Sequence, residues 1–194
     1  AYRATSFQEL NKRHSIGQQL NPGWTYKLPM TKVVQYSVAG PVIGMARAAL
    51  DAFCENIRMR SSYTDGTKLN RITSLQMRTS ESAAEIDAAL DIYNADMRIM
   101  QNAAKNNRDI TQHEQFRIRR NCAYLSMLCR CATHRLAEAL GAGGLRADNP
   151  VHEFNLDVLA ATGHQALTWD FNATPYGQML LGLDPTQLPV QENQ

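Results

Sequence analysis

Residues 82–105 read SAAEIDAALDIYNADMRIMQNAAK. Within them Ala83, Ile86, Leu90, Tyr93, Met97, Met100 and Ala104 are separated by alternating steps of three and four. A helix turns every 3.6 residues, so residues spaced this way share one face. In a strand they would be split between two faces. The stretch therefore predicts a long helix, over about 70–105, whose apolar seam packs against other long helices. Asn106 and Asn107 break the pattern.

The next segment repeats the signal. Thr111-Gln-His-Glu114 predicts a capping box, the Thr hydroxyl accepting from the Glu114 backbone and the Glu side chain reaching back. Ile118, Cys122, Leu125, Cys129, Ala132, Leu136 and Ala139 then form a second seam, which Gly141-Ala-Gly-Gly144 ends. Upstream, residues 33–60 place Val42, Met45, Ala49, Ala52 and Asn56 on one helix face, with small residues to allow close approach and Pro41 in the first turn or at a kink. Downstream, Asn149-Pro150 is an N-cap followed by Pro at the first helical position. Val151, Phe154, Val158 and Ala161 give that helix its apolar face, to about His164.

These patterns predict an all-α, up-and-down four-helix bundle over 33–167. Residues 1–32, with the turn Asn21-Pro22-Gly23, are expected to be an irregular linker leaving a preceding domain. Residues 168–194 are expected to be an extended tail, docked by Trp169, Phe171 and Tyr176, with a disordered end. The chain does not begin with Met and is expected to be a piece of a longer polypeptide.

Composition narrows the chemistry. A net charge of +2 argues against nucleic acid or an anionic membrane surface. The run Arg117, Arg119, Arg120 is read as a solvated helix face. No signal peptide is visible, and no apolar stretch is read as approaching the roughly 20 residues of a membrane span. Cys54, Cys122, Cys129 and Cys131 form no C-x-x-C pair and are read as reduced, mostly buried thiols of a cytoplasmic protein. A di-iron bundle needs Glu-x-x-His on two helices, and no Glu here has His three positions on, so no metal is expected. His134 and Glu138 read as a surface pair. His164 reads as a capping or core histidine, and Gly141–Gly144 as a helix stop or a backbone free to approach a phosphate.

Several stretches, in order, carry a family resemblance. Ile43-Gly-Met-Ala-Arg-Ala-Ala-Leu-Asp-Ala-Phe53 comes first, then Leu75-Gln76 with Ser82-Ala-Ala-Glu-Ile-Asp-Ala-Ala89. Gly141–Gly144, Asn149-Pro150, Asp157 and His164 follow, then Trp169-Asp170, Tyr176-Gly177 and Gly182. From Val42 to Pro185 the chain resembles the C-terminal helical domain of the acyl-CoA dehydrogenase superfamily, in its branch of two-component, reduced-flavin-dependent aromatic hydroxylases. The resemblance implies a parent with an N-terminal helical domain and a central β-domain, residues 1–32 being the link out of the latter. It implies a homotetramer.

It further implies an oxidoreductase in which a separate flavin reductase supplies reduced FMN or FAD. With O2 this gives a flavin C4a-hydroperoxide that hydroxylates an aromatic small molecule; this chain alone is expected to be inactive. His164 matches the family histidine beside the flavin ring and is assigned to adduct stabilisation. Gly143 and Gly144 match the turn that reaches the phosphate of a neighbouring subunit's flavin. Arg60 and Gln76 are assigned to phosphate and flavin-edge contacts, with Arg58 or Arg71 as alternatives to Arg60. Glu153 and Leu156 stand where this branch carries Arg, while Asp157 is kept. Two other readings stand beside it: an acyl-CoA dehydrogenase or oxidase domain, and a non-catalytic helical assembly module.

Overall fold

A computed structural model of the chain describes residues 16–185. The expectations for 1–15 and 186–194 lie outside the described residues. Five helices form the body: α1 (Gln35–Met59), α2 (Thr73–Lys105), α3 (Gln112–Ala139), α4 (Pro150–Thr162) and α5 (Trp169–Leu180). Short helical turns at Ile16–Leu20, Trp24–Lys27 and Met30–Val33 precede them. Among the described residues, extended pairing is confined to one isolated bridge between Ser61 and Lys68. The chain is thus the all-α, up-and-down bundle that the periodicity predicts.

The third helix follows its sequence signals closely. Thr111 Oγ1 accepts from the Glu114 backbone at 3.2 Å, and Glu114 Oε2 accepts from the Thr111 backbone at 3.0 Å. Ile118, Cys122, Leu125, Cys129, Ala132 and Leu136 are all fully buried. Removing six apolar side chains from water is the main stabilising term here, at roughly 1.5–3 kcal/mol for each large one. At the next helix the Asn149 side chain accepts from Val151 N at 3.0 Å, and Val151 and Val158 are buried as expected.

The second helix packs most of its apolar seam, with Ile86, Met100 and Ala104 buried and Ala83, Tyr93 and Met97 half-buried, but polar residues share the core face. Leu90 is 44% exposed, whereas Ser82, Ile86, Ala89, Asp96, Met100 and Ala103 face the core. These polar residues have partners: Asp96 Oδ2 accepts from Tyr36 of α1 at 2.5 Å and from Asn121 of α3 at 2.8 Å. Ser82 donates to the Ala132 carbonyl at 3.3 Å. Hydrogen-bond partners offset much of the cost of burying these polar groups.

One expectation needs correction around α1. Met30–Met59 is long and apolar enough to cross a membrane by length and composition. In the bundle its apolar residues, among them Ala39, Val42, Ala46, Ala49, Leu50, Phe53 and Ile57, form the core. Of the two placements open for Pro41, the structure has it inside the helix, past the first turn.

The tail is the largest correction. Residues expected to be extended form α5, over Trp169–Leu180. It holds its place against α3 by tertiary contacts that a local pattern does not reveal. Trp169 lies tilted against Tyr124, Arg119 sits over Phe171 at 5.1 Å, and Arg120 over Tyr176 at 4.1 Å. Pro175 has no N–H to give the Phe171 carbonyl four residues back. Arg119 Nη2 supplies that donor at 3.3 Å. The basic run on α3 is therefore no solvated face: Arg119 and Arg120 dock α5, and Arg117 Nε stands 3.8 Å from Asp96.

Candidate functional site

The Gly-rich turn and the end of α1 meet in one cleft of about 290 Å³, lined by Asn56, Arg60, Gly143, Arg146, Asp148, Asn149 and Pro150. Arg60 leaves α1 at its C-terminal cap, and its Nη1 donates to Asn56 Oδ1 at 3.2 Å. Among the described residues Arg60 pairs with no carboxylate, so its charge faces the cleft. Arg146, by contrast, holds Asp148 through two bonds at 2.9 and 2.8 Å, which keeps the Asp148 carboxyl below its usual range.

The three glycines of the turn play different parts. Gly141, at φ +60°, adopts the left-handed conformation that ends α3. Gly143 faces the cleft: a Cβ there would lie 3.5 Å from the Arg60 guanidinium. Gly144 turns inward, where a Cβ would stand 2.5 Å from the Ala137 carbonyl oxygen and 2.7 Å from Leu140 Cβ. Its missing side chain makes room for the end of α3. Asn149 ties the turn to α4 by donating to the Gly143 carbonyl at 3.0 Å.

Gln76 lies in a separate groove of about 360 Å³ on the other side of the α1 terminus. Phe53, Ile57, Leu75 and Ala83 make it largely apolar, and Arg58 lines it too. Gln76 Nε2 donates to the Asn70 carbonyl at 3.0 Å. Arg71 lines neither cavity.

His164 stands apart from both. It follows Gly163 at the far end of α4, and thirteen residues of helix put it roughly 20 Å from the Gly143 cleft. Its ring is exposed, and Nδ1 accepts from Ala166 N at 3.1 Å, capping the short turn Gln165–Leu167. With Nδ1 an acceptor, the neutral ring carries its proton on Nε2. The residue is a cap, as its position suggests, and it presents a donor outward. The structure brings Arg60 and Gly143 together, keeps Gln76 in another groove and leaves His164 at the opposite end of α4. Glu153, Leu156 and Asp157 lie on the exposed face of α4.

Sequence reasoning missed what supports His164. Asn172, from α5, is fully buried directly behind that turn. A polar residue four positions past Thr168, among aromatic anchors, was the available signal. Two of the four thiols are buried, and burial pushes Cys122 and Cys129 up to about 12, while Cys54 is half-buried and Cys131 exposed. His134 and Glu138 form the exposed pair expected, at 3.5 Å.

Residues 36–169 match the family model described as acyl-CoA dehydrogenase, C-terminal domain. The oxygenase component of FADH(2)-dependent resorcinol hydroxylase from Rhizobium sp. (strain MTP-10005) is 24% identical over 193 residues, covering 95% of this chain and 47% of that protein. Among solved structures, 3-HSA hydroxylase from Rhodococcus sp. RHA1 aligns with a TM-score of 0.81 at 23% identity, over 93% of this chain and 47% of that one. XiaF from Streptomyces sp., in complex with FADH2 and glycerol, aligns with a TM-score of 0.79 at 21% identity, over 94% and 45%. The chain spans about half the length of the relatives it matches.

Proposed function

Because the chain belongs to the acyl-CoA dehydrogenase C-terminal domain family, we propose that it is the flavin-facing helical domain of an oxygenase component that hydroxylates an aromatic small molecule. The observation that carries this reading is the similarity to a FADH(2)-dependent resorcinol hydroxylase, which runs through 95% of the chain rather than through an isolated motif. Reduced flavin, FMN or FAD, delivered by a separate reductase, supplies the activation of O2.

The residues suit such a group at two places. Arg60 offers a cation without a carboxylate partner, beside a backbone stripped of Cβ at Gly143. This fits a phosphate, which favours a fixed cation and close backbone approach. His164 offers an outward Nε2–H on a ring oriented by its own turn. This fits a donor to an electron-rich ring edge. The roughly 20 Å between them suits the family arrangement in which one subunit's glycine turn serves a neighbour's flavin. On this reading the working protein is a homotetramer, placed in the cytoplasm. Gln76 completes the flavin-edge contacts. Glu153 and Leu156 supply no cation on α4, so Arg60 carries the phosphate charge.

The test uses the longest polypeptide that the gene encodes. Supplied with a flavin reductase, NADH, O2 and simple phenols such as resorcinol, it should form a hydroxylated product that requires reduced flavin. Absence of any such product, together with bleaching of oxidised flavin by an acyl-CoA, would establish the dehydrogenase reading instead.

A further inference from the structure

We propose that buried Asn172, backed by half-buried Arg119, forms a clamp that fixes the His164–Thr168 turn and thereby sets the orientation of the His164 ring. Asn172 is fully buried. Its Nδ2 donates to the Gln165 carbonyl at 2.9 Å and to the Thr168 carbonyl at 2.8 Å. Its Oδ1 accepts from Arg119 Nε at 3.5 Å. A helical side chain that merely satisfied itself would bond within its own turn. This one reaches back seven residues and holds both ends of the segment that follows His164.

The surrounding contacts have the same direction. Gln165 O also accepts from Thr168 Oγ1 at 3.0 Å, and Leu167 N donates to His164 O at 2.8 Å. Leu167 is buried and pins the middle of the turn. The turn in turn presents Ala166 N to His164 Nδ1. Arg119 is anchored twice on α5, at Asn172 and at the carbonyl that Pro175 leaves without a donor. The chain of contacts runs from α3 through α5 to the imidazole. Asn172 is a positioning residue, since it touches the turn and not the ring. Its consequence for turnover rests on the reading of His164 given above.

The test reads the turn directly. In the 194-residue chain, 15N spectra of the His164 ring report which nitrogen holds the proton, and amide exchange reports the Ala166 N–H bond. Asn172→Ala should speed Ala166 exchange roughly tenfold, the equivalent of one lost hydrogen bond. It should also shift His164 toward the tautomer mixture of an unrestrained histidine. Asn172→Asp keeps the size but turns oxygens on two carbonyls, and should do the same. Tyr176→Ala loosens an α5 anchor outside the turn and should leave both signals in place.

An unchanged ring signature in both Asn172 variants, or an equal change in Tyr176→Ala, overturns the clamp. If the Asn172 variants do not fold, Arg119→Met decides, since it must move the same two signals in the same direction. Coupling of NADH use to product in the full polypeptide separates this proposal from the histidine's role. Asn172→Asp should lower coupling as His164→Ala does, and the double variant should add nothing further. A shifted ring signature with unchanged coupling in every variant keeps the clamp and removes the His164 assignment.

Discussion

The Tyr36 hydroxyl donates to Asp96 Oδ2 at 2.5 Å at a point where both side chains are withdrawn from solvent. Asn121 Nδ2 donates to the same oxygen at 2.8 Å, so one carboxyl joins α1, α2 and α3. Asp96 Oδ1 has no hydrogen-bond partner, and the nearest cation is Arg117 Nε at 3.8 Å. The knot links the three longest helices through a group that is costly to bury charged.

A pH dependence follows from that burial. Desolvation raises the Asp96 carboxyl, against the opposing hydrogen bonds of Tyr36 and Asn121 and the charges of Arg117 and Arg120. A carboxyl raised above its unfolded value stabilises the fold fully below about pH 4. That contribution is lost as pH rises through the folded value. Asp96→Asn should therefore flatten the decline of urea stability as pH rises above about 4, relative to the parent chain. Asp96→Ala should cost about 2–4 kcal/mol, because Tyr36 and Asn121 lose their acceptor inside the core. Parallel pH profiles for the parent and Asp96→Asn would sink the assignment.

The capping box at the start of α3 has the opposite sign. Arg108 grips Glu114 through two bonds of 2.8 Å, and with Thr111 lowers its carboxyl to about 2. A depressed carboxyl stabilises the fold above its unfolded value and loses that contribution as pH falls toward about 2. Glu114→Gln should cost about 1 kcal/mol near pH 7, the usual worth of a cap. The difference from the parent should shrink on acidification, as thermal melts at pH 7 and pH 3 will show.

The glycine turn separates a packing role from a site role. A Cβ on Gly144 would meet the Ala137 carbonyl oxygen at 2.5 Å, which backbone cannot easily yield. Gly144→Ala should therefore destabilise the chain by about 1–3 kcal/mol. Gly143→Ala meets only the flexible Arg60 end at 3.5 Å and should fold normally. If the turn receives a flavin phosphate, Gly143→Ala should weaken flavin binding several-fold in the full polypeptide while its melting temperature stays put. Equal losses of stability in the two variants would contradict this division.

How far the sequence reveals such detail depends on where the stabilising contacts lie. The α3 seam and both caps were legible because their partners are two to four residues away. On α2 the seam was right except at Leu90, but buried Asp96 was missed, because it finds its partners sixty residues back and twenty-five ahead. Apolar periodicity counts such a residue as surface. Helix α5 was invisible for the same reason: its proline is made tolerable by Arg119, fifty-two residues earlier at the Phe171 carbonyl. Of the site, the types of residue were readable but their grouping was not. The placement of Arg60 beside Gly143, with Gln76 in another groove, depends on which way each side chain leaves the end of α1.

The histidine provides the sharpest functional test. With Nδ1 engaged by Ala166 N, only Nε2–H is available to a partner beyond the protein surface. His164→Ala removes that donor, and the Ala166 N–H loses its acceptor in an exposed turn, where water replaces it at little cost. Stability should thus change by less than about 1 kcal/mol. If the proposed function holds, the same change in the full polypeptide, supplied with reduced flavin and a phenol, should raise peroxide release and lower the product formed per NADH about tenfold or more, the scale of one lost hydrogen bond in a water-excluded site. His164→Gln restores a side-chain donor and should recover part of the coupling. If peroxide release and product yield match the parent in His164→Ala, the imidazole serves only as the cap of its turn, and the flavin-facing assignment falls with it.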